Sequence, residues 1–332
     1  MASVTGQDRA WLFRALQLFA AAGIALTVAV QLGLHNAFWA AMPVWVVAQP
    51  YRQDLLLRAI LRIAGTLLGA LIGWLVLVHV PSHAVWIAVL VLGAGLAGAA
   101  AYWIGTIYSY GVLLAAITLA VVLIPALDHP IDATALAADR VWCTLIGTVS
   151  VTVITFLFTP TRTDSHPLRL HPPAGVTLRH GVIIGVTTLL GALALLAIGG
   201  PAGIATAMAL TIFSLIIGTS RNPTPILKYM PLGGAIGVAA AIAYRALDMA
   251  LPDPEGMALL LALAFIAAGA LVRAHPRLAP FGLDANMCFL LSAEAGTAGH
   301  GLSAHVQGGV ALVISAFLFA AVFTRIGAKP QS

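Results

Sequence analysis

Residues 38–74 read FWAAMPVWVVAQPYRQDLLLRAILRIAGTLLGALIGW, and this stretch decides the fold. A first apolar segment ends at Gln49-Pro50, a basic turn follows with Arg52, and a second, glycine-rich apolar segment begins at Arg62. A helix needs about 20 apolar residues to cross the roughly 30 Å hydrocarbon core of a bilayer. The stretch therefore predicts two membrane helices joined by a basic turn.

The composition extends this interpretation to the whole chain. Of the 332 residues, 61% are hydrophobic and only 8% are charged, and the mean hydropathy is +1.01. A soluble domain carries roughly 25% charged residues because water must solvate its surface. The net charge of +5 does not indicate a nucleic-acid partner, since the basic residues lie in short loops beside apolar segments. We expect an all-α, multi-pass membrane protein whose surface partner is lipid.

The length of apolar segments predicts twelve membrane helices in two sets of six. The expected spans are 13–34, 37–51, 59–80, 84–103, 107–126 and 139–159, then 179–199, 201–220, 227–248, 256–273, 280–298 and 305–325. The second span is short and contains Pro43, so it is predicted to be tilted or re-entrant. This divides the chain into a first membrane unit (1–160), a cytoplasmic linker (161–178) and a second membrane unit (179–332).

The distribution of lysine and arginine predicts the orientation. Cytoplasmic loops of membrane proteins are enriched in these residues. With a cytoplasmic N-terminus, only Arg140 and Arg245 fall outside, against fourteen inside: Arg9, Arg14, Arg52, Arg58, Arg62, Arg162, Arg169, Arg179, Arg221, Lys228, Arg273, Arg277, Arg325 and Lys329. Both termini are therefore predicted to be cytoplasmic.

The two halves look like copies of each other. An offset of 168 residues aligns three glycines of the first half with three of the second: Gly23, Gly65 and Gly69 with Gly191, Gly233 and Gly237. Each half has an even number of expected spans, so the repeats run parallel and are related by a pseudo-two-fold axis along the membrane normal.

Three glycines spaced four apart give the third span one smooth face. Gly65, Gly69 and Gly73 lie on the same side of a helix. In lipid, this spacing favours the close approach of a second helix. The alternative interpretation is a face that lines a transport pathway.

Arg62 and the Gln49-Pro50 break are the candidates for ligand binding in the hairpin. Arg62 either extends to the lipid headgroups or binds an anion, because a guanidinium matches a carboxylate in a bidentate manner. Proline removes a backbone donor and disfavours helix at the preceding residue, which frees carbonyl groups at the end of the second span.

Glu294 and Asp284, in the eleventh expected span, are the candidates for proton transfer. A carboxylate within the membrane is costly unless it is paired, protonated or hydrated. The alternative is that the helix ends at Ala293 and leaves Glu294 in a loop. Arg245 is expected to pair with Asp248 three residues later, and a further hypothesis pairs it with Glu294.

Recognisable catalytic motifs are missing from the sequence. It contains no P-loop, GxSxG or HExxH motif and no dinucleotide fingerprint. Cys143 and Cys288 lie inside apolar runs, and the histidines lack metal-ligand spacing. We expect neither a metal nor another cofactor, and active transport would use an ion gradient.

The hairpin resembles the signature of the fusaric acid resistance / aromatic acid exporter family. The residues that carry the resemblance are Trp39, the "QP" of Gln49-Pro50, and the pattern R-x-x-G-T-x-x-G-A that begins at Arg62. The resemblance covers about residues 10–162, whereas the second half lacks the "QP" and "R-x-x-GT" residues. Family members commonly carry a large cytoplasmic domain after each six-helix unit, so this chain is similar to a short form with only the segment 159–175 in that place.

The resemblance implies proton-coupled export of aromatic and other small organic acids across the bacterial inner membrane, with help from a periplasmic adaptor protein. Related plant channels pass organic anions, so a passive anion channel is an alternative, as is a membrane scaffold that transports nothing. For an exporter, we expect substrate to contact six residues: Trp39, Gln49, Arg52, Arg62, Thr66 and Tyr108.

Overall fold

A computed structural model describes residues 2–162, 171–251 and 254–327, and within these ranges every regular element is an α-helix. Residues 163–170 of the predicted linker 161–178, which include the charge at 169, and the charge at 329 lie outside the described residues. The twelve helices are α1 (Ala2–Gln31), α2 (Phe38–Val47), α3 (Arg52–His79), α4 (His83–Ile104), α5 (Ser109–Asp128), α6 (Ala133–Phe156), α7 (Ala174–Ile198), α8 (Gly200–Gly218), α9 (Thr224–Ala250), α10 (Pro254–Ala274), α11 (Ala279–Ala293) and α12 (Leu302–Gly327).

Ten of the described helices are long and apolar enough to cross a membrane, two fewer than the spans expected from sequence. The exceptions are α2, with 10 residues, and α11, with 15. The first ends early because Pro50 disfavours helix before it, and Ala48 is already extended at ψ 114°. The second ends at Ala293 because Glu294 adopts a left-handed backbone conformation, φ 48° and ψ 46°.

The helices form two compact units. The first contains α1, α2, α10 and α11, with α6 from Trp142 and α9 from Tyr229. Inside it, α1 packs against α2 and α10, and α11 packs against the same two helices.

The second unit contains α4, α5, α7 and α8, with α3 from Ile60 and α12 from Gln307. Inside it, α7 packs against α8 and α4, and α5 packs against the same two helices. Replacing each helix of the first unit by the helix six places away in the chain reproduces these four pairings. Each compact unit thus combines helices from both halves of the sequence. The predicted membrane units 1–160 and 179–332 describe sequence repeats, and they stay a prediction.

Glycines let pairs of helices touch through their backbones. A Cβ atom at Gly65 or Gly69 of α3 would overlap the carbonyl oxygens of Gly111 and Ala115 in α5. At Gly73, the third residue of this face, it would meet the side chain of Val122 at 2.8 Å. Packing this close is typical of helices in lipid, where small residues replace the hydrophobic driving force.

The same contact recurs between α9 and α11 in the first unit. A Cβ atom at Gly233 would lie 2.8 Å from the carbonyl oxygen of Phe281, and one at Gly237 would overlap that of Ala285. Gly233 and Gly237 are the residues that the sequence aligns with Gly65 and Gly69.

We predict that Gly69→Ala destabilises the protein. The added methyl group would overlap the Ala115 carbonyl and force α3 and α5 apart, and overpacking of this kind costs about 1–3 kcal/mol. The measurement is the thermal unfolding temperature of the purified protein in detergent. Gly175→Ala is the matched control, since nothing lies within 4 Å of a Cβ atom there. Equal unfolding temperatures for the two variants would contradict the prediction.

Candidate functional site

The carbonyl groups at the end of α2 are bound by nearby side chains. The amide Nε2 of Gln49 donates to the carbonyl oxygens of Val46 and Ala48, at 3.3 and 3.0 Å. Arg58 Nη1 donates to the Val46 oxygen at 3.1 Å. The two carbonyl groups at the proline break therefore accept hydrogen bonds from side chains of the protein, and Gln49 caps the C-terminal end of α2.

Arg52 holds the segment after α6 against the start of α3. Its Nε donates to the carbonyl oxygens of Phe156 and Thr159, both at 3.2 Å. Its guanidinium lies 4.5 Å from the centre of the Phe156 ring, and its backbone N–H donates to the carbonyl oxygen of Pro160 at 2.9 Å. Arg52 thus fixes residues 156–160 in place.

A cavity of about 330 Å³ lies between the end of α2 and this fixed segment. Two of its lining residues are arginines from other helices of the same unit, Arg14 of α1 and Arg273 of α10. The remaining lining residues are Ala48, Gln49, Pro50, Phe158, Thr159 and Pro160.

Arg62, in the other unit, is enclosed by protein. It is only 3% exposed, and its Nη1 donates to the hydroxyl oxygen of Tyr110 at 2.7 Å. Its buried Nε has no hydrogen-bond partner among the residues that the structure describes. The side chain is therefore enclosed by protein, and its hydrogen-bond partner is a hydroxyl group.

The other residues expected to contact substrate are divided between the two compact units. Thr66 lies one turn further along α3, is buried, and its hydroxyl has no partner in the described part of the chain. Tyr108 precedes α5 and is 59% exposed. Trp39 is buried at the opposite end of α2 from Gln49, with its ring edge-to-face against Phe38.

Glu294 lies just beyond α11 and not inside a helix. Its carboxylate accepts a hydrogen bond from the backbone N–H of His300 at 3.2 Å and lies 2.9 Å from Nδ1 of the same residue. The side chain is 25% exposed. The sequence allows Glu294 to lie either inside a membrane helix or in a loop, and in the structure it lies in the loop after α11.

Arg245 organises this loop through the backbone. It is buried, and its guanidinium donates to the carbonyl oxygens of Ala293 at 2.6 Å and Glu294 at 2.9 Å, and also to those of Thr297 and Ala298. The predicted pairing with Asp248 is confirmed at 3.1 Å. The hypothetical pairing of Arg245 with the Glu294 carboxylate is replaced by the contact with the Glu294 carbonyl.

Asp284, the second candidate for proton transfer, lies in the middle of α11. It is half-buried, and its Cβ is 3.0 Å from where a Cβ atom of Gly233 would lie. Its charge interacts with that of Arg273.

Sequence reasoning did not single out Tyr110, Arg14 or Arg273 for the site. Tyr110 was indistinguishable from the neighbouring Tyr108 as one of several interfacial aromatic residues. The two arginines lie more than 250 residues apart in the chain. The positive-inside bias accounts for both without reference to a site.

Residues 10–170 match the model of the Fusaric acid resistance protein family. No curated protein and no solved structure matches the chain.

We predict that Tyr110→Phe lowers the free energy of unfolding by about 1–3 kcal/mol, because a buried charged donor then loses its partner. Chemical unfolding of the purified protein in detergent, followed by tryptophan fluorescence, measures the change. Tyr108→Phe removes a hydroxyl from an exposed ring two residues away, and its stability should not change. If both variants unfold like the parent protein, the Arg62–Tyr110 contact does not stabilise the fold.

Proposed function

Because residues 10–170 match the model of the fusaric acid resistance protein family, we propose that the protein is a transporter that expels small organic acids, among them aromatic carboxylic acids. The ten long apolar helices support a multi-pass membrane protein, and its residence in a bacterial inner membrane with both termini cytoplasmic is part of the proposal.

The observation that carries the choice of an anionic substrate is the environment of Arg62. Burying a cation costs free energy unless an anion or several hydrogen bonds compensate for the lost water. Here the guanidinium donates to one hydroxyl group, that of Tyr110, and its Nε has no hydrogen-bond partner among the described residues. A substrate carboxylate would supply the missing charge and accept from two guanidinium nitrogens at once.

Thr66 adds a second donor on the same face of α3. Residues four apart on a helix are neighbours, so the hydroxyl of Thr66 lies one turn beyond Arg62. The hydroxyl is buried and has no partner among the described residues, which supports a role in binding a substrate oxygen.

We propose that the chain arose by duplication of a six-helix unit and forms two parallel repeats. The four helix pairings inside the first compact unit correspond to the four inside the second when each helix is matched with the one six places away in the chain. The glycine contact of α3 with α5 recurs between α9 and α11, at partner residues 170 positions apart: Gly111 with Phe281, and Ala115 with Ala285.

Coupling to protons through Glu294 and Asp284 is the finer part of the proposal. The carboxylate of Glu294 lies 2.9 Å from Nδ1 of His300, so the two side chains are placed to exchange a proton. The position of Glu294 outside α11 favours a second candidate, a passive organic-anion channel, because the carboxylate is not inside a membrane helix. A periplasmic adaptor protein remains a proposed partner of the exporter.

We predict that Arg62→Gln reduces transport of benzoate at least tenfold, because the variant lacks the cation that attracts the carboxylate. The measurement is efflux of radiolabelled benzoate from proteoliposomes, normalised to correctly inserted protein. Arg179→Gln, which removes one exposed positive charge from α7, is the control and should transport normally. Full transport by a well-inserted Arg62→Gln protein would contradict the role of Arg62, and a wild-type protein inert toward every organic acid would instead support a scaffold.

A second prediction concerns Glu294→Gln, which cannot take up a proton. If Glu294 couples transport to protons, the dependence of benzoate efflux on the pH gradient is lost, while exchange of benzoate between the two sides continues. Efflux with unchanged pH dependence would remove Glu294 from the mechanism. Currents that reverse at the benzoate equilibrium potential in wild-type protein, without proton movement, would support the channel.

A further inference from the structure

We propose that the cavity at the end of α2 is a second organic-anion site, in which Arg14 and Arg273 bind a carboxylate and Phe158 contacts the ring attached to it. The choice of an aromatic carboxylate rests on the proposed function, whereas the presence of an anion site rests on the cavity itself.

The first argument is the placement of two like charges. Arg14 in α1 and Arg273 in the last turn of α10 are both half-buried, line the same cavity, and lie close enough for their charges to repel. Asp284 interacts with Arg273 and offsets one of the two charges. The cavity therefore keeps a net positive charge, and an anion between the guanidinium groups would replace repulsion with attraction.

The second argument is the supply of unused hydrogen-bond donors. A guanidinium has five N–H donors in a planar fork. The hydrogen bond of the Arg14 guanidinium is a long one, 3.5 Å from Nη1 to Oε1 of Gln17. The Nε of Arg273 is buried and has no partner within the described ranges. A carboxylate would accept from these donors.

The third argument is the shape and chemistry of the walls. Pro50, Phe158 and Pro160 contribute apolar side chains to the lining of the cavity. The ring of Phe158 is held edge-to-face against Phe13 at 5.2 Å, and Arg52 fixes the backbone of the same segment. A volume of about 330 Å³ is at the small end of ligand sites, which suits a molecule with one ring.

The helices of the second unit that correspond to α1, α10 and α2 are held together by different side-chain contacts. These helices are α7, α4 and α8, which pair as α1, α10 and α2 do in the first unit. There His180 of α7 stacks on Tyr102 of α4 at 3.8 Å and donates from Nδ1 to the carbonyl oxygen of Gly218 at 2.7 Å. Stacked rings with a satisfied hydrogen bond therefore join α7, α4 and α8 in the second unit.

A lipid headgroup phosphate shares the chemistry of a carboxylate and is the competing source of an anion. The apolar side chains of Phe158 and the two prolines favour a ring-bearing acid, because a headgroup would bring polar ester and alcohol groups against them. The test therefore compares the two anions directly.

The experiment measures binding of radiolabelled benzoate to the purified full-length protein by scintillation proximity, in wild-type protein and in an Arg62→Gln background. We expect benzoate to bind in both, and Arg14→Gln or Arg273→Gln to weaken binding to the cavity at least tenfold. Arg277→Gln is the matched control, since it removes an exposed charge four residues beyond Arg273 and should bind benzoate normally. Benzamide, which lacks the charge, should not compete.

Two further measurements keep the result interpretable. Arg14→Gln should unfold at the parent temperature or above it, because it removes a like-charge repulsion, so loss of binding is not loss of fold. Phe158→Leu should weaken binding of benzoate but not of acetate, which has no ring.

Unchanged benzoate affinity in both Arg14→Gln and Arg273→Gln would overturn the proposal. So would arginine-dependent binding of phosphatidylglycerol that benzoate cannot displace, since the cavity would then be a lipid site. Binding that depends on both arginines in a protein that transports no organic acid would keep the cavity site and refute the exporter. Benzoate transport with binding unaffected in both variants would refute the cavity site and keep the exporter.

Discussion

The contact on which the structure depends is the approach of two helix backbones at Gly65 and Gly69. In a bilayer, apolar side chains gain nothing by leaving lipid for protein, so helices associate through close packing. Because Gly65 and Gly69 have no side chain, the backbone of α3 lies directly against the carbonyl groups of α5. Arg62 is one turn before Gly65, and Tyr110 immediately precedes Gly111, so the same contact brings the guanidinium to the tyrosine hydroxyl. The packing of small residues thus determines where the buried charge lies.

The proline break after α2 has a second set of consequences. In a helix that continued through Gln49, backbone N–H groups of the next turn would donate to the carbonyl oxygens at the end of α2. Because α2 ends early, the side chains of Gln49 and Arg58 donate to them instead. The space beyond it is bounded by a segment that Arg52 fixes, and arginines from α1 and α10 reach that space. Two residues expected to touch substrate, Gln49 and Arg52, therefore shape the cavity by holding its backbone. The guanidinium groups that line this space are those of Arg14 and Arg273, and the Nε of Arg273 has no hydrogen-bond partner within the described ranges.

Hydrophobic periodicity and charge predicted the presence of the helices better than the residues at which they end. The all-helical fold and the hairpin of α2 and α3 follow from apolar length and from Pro50, and the pairing of Arg245 with Asp248 follows from helical spacing. The sequence left the end of α11 open, because Glu294 could lie either in the last turn of a membrane helix or in a loop. Gly296 and Gly299 take positive φ angles, and Arg245 donates to the carbonyls that the helix would otherwise have used. A single buried guanidinium thus replaces a further turn of α11.

The sequence by itself determined that this is a helical membrane protein, that a basic turn joins α2 to α3, and which glycines face a neighbouring helix. These properties depend on local composition and on spacing along one helix, which a sequence contains in full. Only the tertiary structure decided that Tyr110, and not Tyr108, meets Arg62, and that Arg14 and Arg273 share a cavity. It also decided that each compact unit takes helices from both halves of the chain. These are contacts between residues far apart in the sequence, and they depend on how helices pack, which neither periodicity nor charge bias along the chain specifies.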